Sequence, residues 1–160
     1  MGRVARSSTR IFLSFRNTAV KEEDLRYIEN FSGIIVLDLQ ETHVGDLAMK
    51  YASTLISLQH LDLEGTEVTG KGLQHLSNPQ LKSIDLDETN ISDKDIHYLK
   101  KMSPSVAKID LEGTNISNKS IPVLASLKYL RALKIVRTKI TPKGFYQLQS
   151  LMPNCKVIYR

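Results

Sequence analysis

The sequence predicts an α/β solenoid, a coil of short parallel strands, each followed by a turn and a short helix. Three observations carry that prediction. A segment of about two dozen residues recurs along nearly the whole chain. A threonine holds the same place in every full copy. Within a copy, the apolar residues change their spacing from two, which suits a strand, to three, which suits a helix.

The repeat is plainest at LQHLDLEGTEVTGKGLQHL, Leu58 to Leu76. It returns as LKSIDLDETNISDKDIHYL from Leu81, VAKIDLEGTNISNKSIPVL from Val106 and LRALKIVRTKITPKGFYQL from Leu130. Upstream stand IIVLDLQETHV from Ile34 and a degraded RIFLSFRNTAV from Arg10; a half copy, CKVIYR, starts at Cys155. The steps between starts are 24, 24, 23, 25, 24 and 25 residues. The recurring threonines are Thr18, Thr42, Thr66, Thr89, Thr114 and Thr138, each followed two residues later by Val20, Val44, Val68, Ile91, Ile116 or Ile140.

In each copy the LxxLxL portion alternates, so Leu61 and Leu63 and their equivalents share an inner face. The Thr–x–Val segment turns the chain, and the threonine hydroxyl can bond local backbone there. Thr69, Ser92, Ser117 and Thr141 then stand where a helix N-cap is expected, with Pro142 suited to a first helical position. Leu73 and Leu76, Ile96 and Leu99, Ile121 and Leu124, Phe145 and Leu148 give each helix one buried face. Pro122 is awkward in a helix beginning at Asn118, which moves that start to near Ser120.

These copies resemble leucine-rich repeats of the short, 23–25-residue kind, with threonine in place of the usual asparagine. The resemblance covers residues 10–160: six repeats and a terminal half repeat, preceded by a tail at 1–9. It implies a horseshoe with a parallel concave sheet and helices on the convex side. It also implies a protein-binding role, since members are rarely enzymes alone. The overall look is similar to small leucine-rich-repeat effectors of Legionella type, some of which bind another effector and block its active site.

A chain of 160 residues suits one domain, and 41% hydrophobic with 24% charged residues suits a folded one. The net charge of +5 hides three blocks: +4 over residues 1–20, −8 over 21–112 and +9 over 113–160. No apolar run reaches the length of a membrane span. The start, MGRVARSSTR, lacks a secretory apolar stretch, and Arg6 spoils the myristoylation motif at Gly2. An organelle presequence stays open there. One cysteine fits a reducing, cytoplasmic compartment, and the effector resemblance adds secretion into a host-cell cytosol.

The residues between the buried leucines face outward in columns. The central column reads Ser14, Asp38, Asp62, Asp85, Asp110, Lys134 and Tyr159. The next reads Arg16, Gln40, Glu64, Asp87, Glu112 and Val136; the one before reads Phe12, Val36, His60, Ser83, Lys108, Ala132 and Val157. Glu41, Glu88 and Arg137 flank the strand ends. Nine of the 17 acids fall on this face. Strands lie about 4.8 Å apart, where a carboxylate pair costs roughly 3 kcal/mol at an effective dielectric near 20, before screening. Asp between core leucines is also common in this repeat type. The second acidic column tips the balance toward a use, and the expected partner is a protein with a basic patch, an enzyme or fellow effector. The candidate contact residues are Asp38, Gln40, Glu41, His60, Asp62, Glu64, Asp85, Asp87, Glu88, Lys108, Asp110, Glu112, Lys134 and Arg137. Reversing Asp62, Asp85 and Asp110 to lysine is expected to abolish binding with the fold intact.

Other chemistry finds little footing. His43, His60, His75 and His97 occupy different repeat positions with no metal-site spacing, and no cofactor is expected. His60 has only Ser83 near it as a nucleophile, so no enzyme is predicted and no small-molecule substrate. Cys155 reads as a buried thiol at a core position, and the five residues after it hold no ligase domain, just as nine residues hold no F-box. TGKGL from Thr69 is a turn into a helix, not a phosphate loop. Two alternatives stand beside protein binding. One is an assembly or adaptor factor. The other is a nucleic-acid or anionic-membrane binder using Arg3 to Arg16 and Lys119 to Arg160, which the acidic centre disfavours.

Overall fold

A computed structural model describes residues 9–102 and 104–160. Arg3 and Arg6, and most of the tail at 1–9, lie outside the described residues. Seven strands form one open parallel sheet in chain order. They are β1 (Ile11–Ser14), β2 (Ile34–Asp38), β3 (His60–Asp62), β4 (Ser83–Asp85), β5 (Lys108–Asp110), β6 (Ala132–Lys134) and β7 (Lys156–Ile158). Between them lie helices α1 (Asp46–Ser53), α2 (Gly70–Leu73), α3 (Ile121–Ala125) and α4 (Pro142–Leu151). Tighter 3₁₀ turns take Glu22–Ile28, Ile96–Met102 and Asn118–Ser120. No helix among the described residues is long and apolar enough to cross a membrane.

The register follows the repeat. Leu37, Leu61, Ile84, Ile109 and Leu133 stand opposite one another on successive strands and are buried. Leu39, Leu63, Leu86, Leu111 and Ile135 form a second buried row, and Val44, Val68, Ile91, Ile116 and Ile140 a third. Leu73, Leu76, Leu99, Leu124 and Leu148 close the core from the helical side.

The threonine's role is now visible. Each hydroxyl donates to the carbonyl three residues back: Thr42 to Leu39, Thr66 to Leu63, Thr89 to Leu86 and Thr114 to Leu111 at 2.6 Å, and Thr138 to Ile135 at 2.8 Å. A buried hydroxyl needs such a partner. The residue before each threonine is left-handed: Asn17, Glu41, Gly65, Glu88, Gly113 and Arg137 have φ between +54° and +64°. Glycine takes this without strain; a Glu or Arg costs about 1 kcal/mol there.

Successive repeats are also clamped on the helical side. Thr69, Ser117 and Thr141 cap their helices, each accepting a backbone N–H. The preceding repeat supplies a second partner. Asp46 accepts from Thr69 N (2.8 Å), Thr69 Oγ1 (2.8 Å) and Gly72 N (2.9 Å). Asp93 holds Ser117 N, Ser117 Oγ and Ser120 Oγ in the same way. A Cβ on Gly72 would sit 2.7 Å from Asp46 Oδ1, so glycine there permits the close approach.

Three expectations need correction. The last copy starts one residue earlier, because Lys134 pairs with Ile158 and Ala132 with Lys156. Ile158 and Lys156, not Tyr159 and Val157, therefore stand in the outward columns. The physical reason is Tyr159, whose ring stacks on Phe145 of α4 with centroids 4.9 Å apart. Cys155 precedes β7 rather than starting it, and is half-buried; burial pushes its thiol up. Ser92 caps no α-helix: its hydroxyl and N–H both go to Asp95 Oδ2, and a 3₁₀ turn follows. Pro122 does sit in the first turn of α3, after the 3₁₀ turn at Asn118–Ser120.

Candidate functional site

Asp38, Asp62, Asp85 and Asp110 stand directly opposite one another at the ends of β2 to β5. Each also does a local job. Their Oδ1 atoms accept the backbone N–H two residues on, from Gln40, Glu64, Asp87 and Glu112, at 3.0–3.1 Å. The column therefore finishes each strand as well as charging the face. Lysine at these positions would lose that bond, so the triple reversal would disturb the fold, whereas asparagine keeps the acceptor.

The second column brings Gln40, Glu64, Asp87 and Glu112 beside the first, with Gln40 and Asp87 buried. Glu41 and Glu88 reach from the left-handed turns toward the next repeat. A Cβ on Gly65 would lie 2.9 Å from Glu41 Oε1, and one on Gly113 2.8 Å from Glu88 Cδ.

Lys134 and Arg137 change the character of one half of this face. Lys134 Nζ bonds Glu112 Oε2, lies 3.2 Å from Asp110 Oδ2 and 3.9 Å from Asp87 Oδ2. Arg137 reaches Glu88 Oε1 at 2.5 Å, Glu112 Oε1 at 2.8 Å and Asp87 Oδ1 at 3.5 Å. Sequence reasoning placed these cations at the edge of the surface as contacts for a partner. The structure turns them onto the chain's own acids, because their stems reach back across one strand. Glu112 is held below its usual range, first by its bond from Lys134, and that same bond raises the Lys134 ammonium.

The other half feels cations only at longer range, through Arg16 and Lys108. Among the described residues, Asp38, Glu41, Asp62, Glu64 and Asp85 make no ion pair within 4.0 Å. Burial, then the charges of Asp110, Asp62 and Asp87, push the Asp85 carboxyl up to about 6. Burial also raises Asp62, Glu64 and Asp87. A hollow of about 250 Å³ opens here, with Val36, His60, Asp62, Ser83, Asp85 and Lys108 in its walls. The His60 ring, exposed, lies 2.7 Å from Ser83 Oγ through Nδ1. Phe12 stands on the same face, 72% exposed.

Asp85 should therefore destabilise the fold at neutral pH. The folded chain keeps the Asp85 proton up to about pH 6, while the unfolded chain loses it near 3.8. Between those values the folded state holds more protons, so stability falls as pH rises through that window. Asp85→Asn is expected to raise stability by about 1–2 kcal/mol at pH 7, after discounting for solvent screening, and by almost nothing at pH 4. Urea melts at both pH values measure this.

The Leucine Rich repeat family model matches residues 54–77, one turn of the coil. A solved leucine-rich-repeat protein of Leptospira interrogans superposes with a TM-score of 0.62 at 20% identity, covering 92% of this chain and 36% of that one. The fold is a leucine-rich-repeat solenoid. This chain spans little more than a third of the Leptospira protein, so the likeness carries the fold alone. No curated protein matches the chain in sequence. Leucine-rich repeats serve broadly as protein-interaction surfaces, and the acidic face lies where such solenoids present their sheet.

Proposed function

We propose that the chain is a protein-interaction module that takes a basic surface of another protein on the acidic concave face of its sheet, and acts by covering or tethering that surface. The carrying observation is the row Asp38, Asp62, Asp85 with Glu41 and Glu64, which no cation of the described residues neutralises within 4.0 Å. Carboxylates stacked at strand spacing repel, and a partner's cations would relieve them. Such association is steered by charge and weakens with salt.

The resemblance to Legionella repeat proteins supplies one setting, a bacterial effector that occludes another protein's active site. An assembly factor or adaptor would use the same face. Binding of nucleic acid or anionic membrane through the basic ends has less to draw on, since Lys134 and Arg137 are engaged with Asp87, Glu88, Asp110 and Glu112. The test is a pull-down with mass spectrometry, repeated with Asp38→Asn, Asp62→Asn and Asp85→Asn combined. Partners that bear basic patches and are lost with the triple variant support the reading. Partners retained by the triple variant at unchanged affinity overturn it.

A further inference from the structure

Among the described residues β7 has one neighbour in the sheet, β6. Two bonds that hold it there show how a further strand would attach. Ile135 N–H donates to Ile158 O at 2.8 Å, and Arg131 O accepts from Lys156 N at 2.8 Å. One repeat on, the same positions belong to Tyr159 and Cys155. Among the described residues Tyr159 N–H has no backbone acceptor and Cys155 O no backbone donor. Such an edge is a template for another strand.

The apolar side chains at this edge are incompletely covered. Leu61, Ile84, Ile109 and Leu133 are buried, whereas Val157, next in that row, is half-buried. Tyr159, which follows the buried Ile135 in its row, is half-buried too. A hollow of about 430 Å³ opens beside them, with Phe145, Tyr146, Lys156, Val157, Tyr159 and Arg160 in its walls. Tyr146 is 67% exposed, and the Arg160 guanidinium lies 5.5 Å from the centre of the Tyr159 ring.

Charge selects the occupant. Residues 113–160 hold nine bases and no acid. Lys134 and Arg137 are engaged with the chain's own acids, but Lys143, Lys156 and Arg160 make no ion pair within 4.0 Å among the described residues. A second copy would bring like charges together. Pairing β7 with β7 apposes these cations, and pairing β7 with β1 adds Arg10 and Arg16, which flank β1.

We infer that the β7 edge takes an extended segment of a partner protein as an eighth strand, one in which acidic residues alternate with apolar ones. Its backbone meets Tyr159 N–H and Cys155 O, its apolar side chains enter the hollow, and its carboxylates reach Lys156 and Arg160. Alternation suits this because successive side chains of a strand point to opposite faces. The site is separate from the acidic face, which repels the same segment.

The experiment follows a fluorescein-labelled peptide of four Glu-Val units by fluorescence anisotropy at low ionic strength. The unmodified chain is expected to bind it, and Lys156→Glu combined with Arg160→Glu to weaken binding by about tenfold. Lys71→Glu combined with Lys94→Glu changes the net charge equally, at exposed positions three and two repeats earlier, and is expected to cost about twofold. Equal losses, or no binding by the unmodified chain, would overturn the site. Two further peptides are N-methylated, one at every valine and one at every glutamate. Backbone pairing predicts that one of them loses about tenfold; two that bind like the parent would overturn the strand addition. These peptides need no variant chain, so the proposal stays testable even where a variant fails to fold, which thermal melts report. A short oligothymidine covers the other polyanion: binding to it in place of the peptide, lost in the Lys156 and Arg160 variant, would overturn the protein partner in favour of nucleic acid. A dimer of the unmodified chain in sedimentation, abolished by the same variant, would overturn it in favour of a second copy.

Discussion

Lys134→Met is expected to destabilise the chain by about 2 kcal/mol at pH 7, and by progressively less below pH 5. Methionine keeps most of the apolar stem and removes the ammonium. Asp87, Asp110 and Glu112 are then left close together, with Arg137 reaching only two of them. Breaking a buried ion pair costs about 3–5 kcal/mol, and a Lys134 side chain that is 32% exposed warrants a smaller figure. The pH dependence follows from Glu112. Its carboxyl is lowered from the ordinary 4.5 by the bond from Lys134. A lowered carboxyl adds stability above its unfolded value, and that contribution fades as pH falls through the folded one. Without the ammonium only Arg137 still lowers this carboxyl, so the two proteins differ most above about pH 5 and converge in acid. Urea melts across this range measure it. A loss that is the same at every pH would assign the effect to packing.

Asp46→Ala is expected to cost about 3 kcal/mol in chemical denaturation, a large effect for a side chain outside the core. The carboxylate accepts three hydrogen bonds from the next repeat. Bonds to a charged acceptor contribute about 1.5–3 kcal/mol each in isolation, and they are not additive. Gly72 N has a second acceptor in Thr69 O, so the orphaned donor is Thr69 N. In a solenoid each repeat touches only its neighbours, so the loss weakens the α1–α2 interface and leaves distant repeats untouched. Asp46→Asn keeps one oxygen and should recover part of the stability. A cost below about 1 kcal/mol would mean that water replaces the carboxylate.

Much of this architecture was legible in the letters. Leu61, Leu63, Val68 and Leu73 recur at fixed spacing, and that spacing alone placed them in the core and the aspartates on the opposite face. What the letters hid was direction and reach. Lys134 falls in the acidic column by its number, and only a three-dimensional view shows its stem bending back over β5. Asp46 and Asp93 stand outside the strand pattern, so nothing in the repeat marked them as clamps. One trace was there: each lies 23 or 24 residues before the Thr69 or Ser117 it holds. The final register failed at Cys155 because leucines no longer mark the core in the half copy, and an aromatic contact decides it instead.

The left-handed turns alternate in kind through the middle of the chain. Along the chain they carry Asn17, Glu41, Gly65, Glu88, Gly113 and Arg137, and both glutamates lie over the glycine of the following turn. A long side chain and the bare backbone it shelters thus form a matched couple spanning two coils. Duplicating any one of the coils that carry Glu41, Gly65, Glu88 or Gly113 would put two glutamates, or two glycines, side by side. The natural module for duplication, and for anyone engineering a longer scaffold from it, is the doublet.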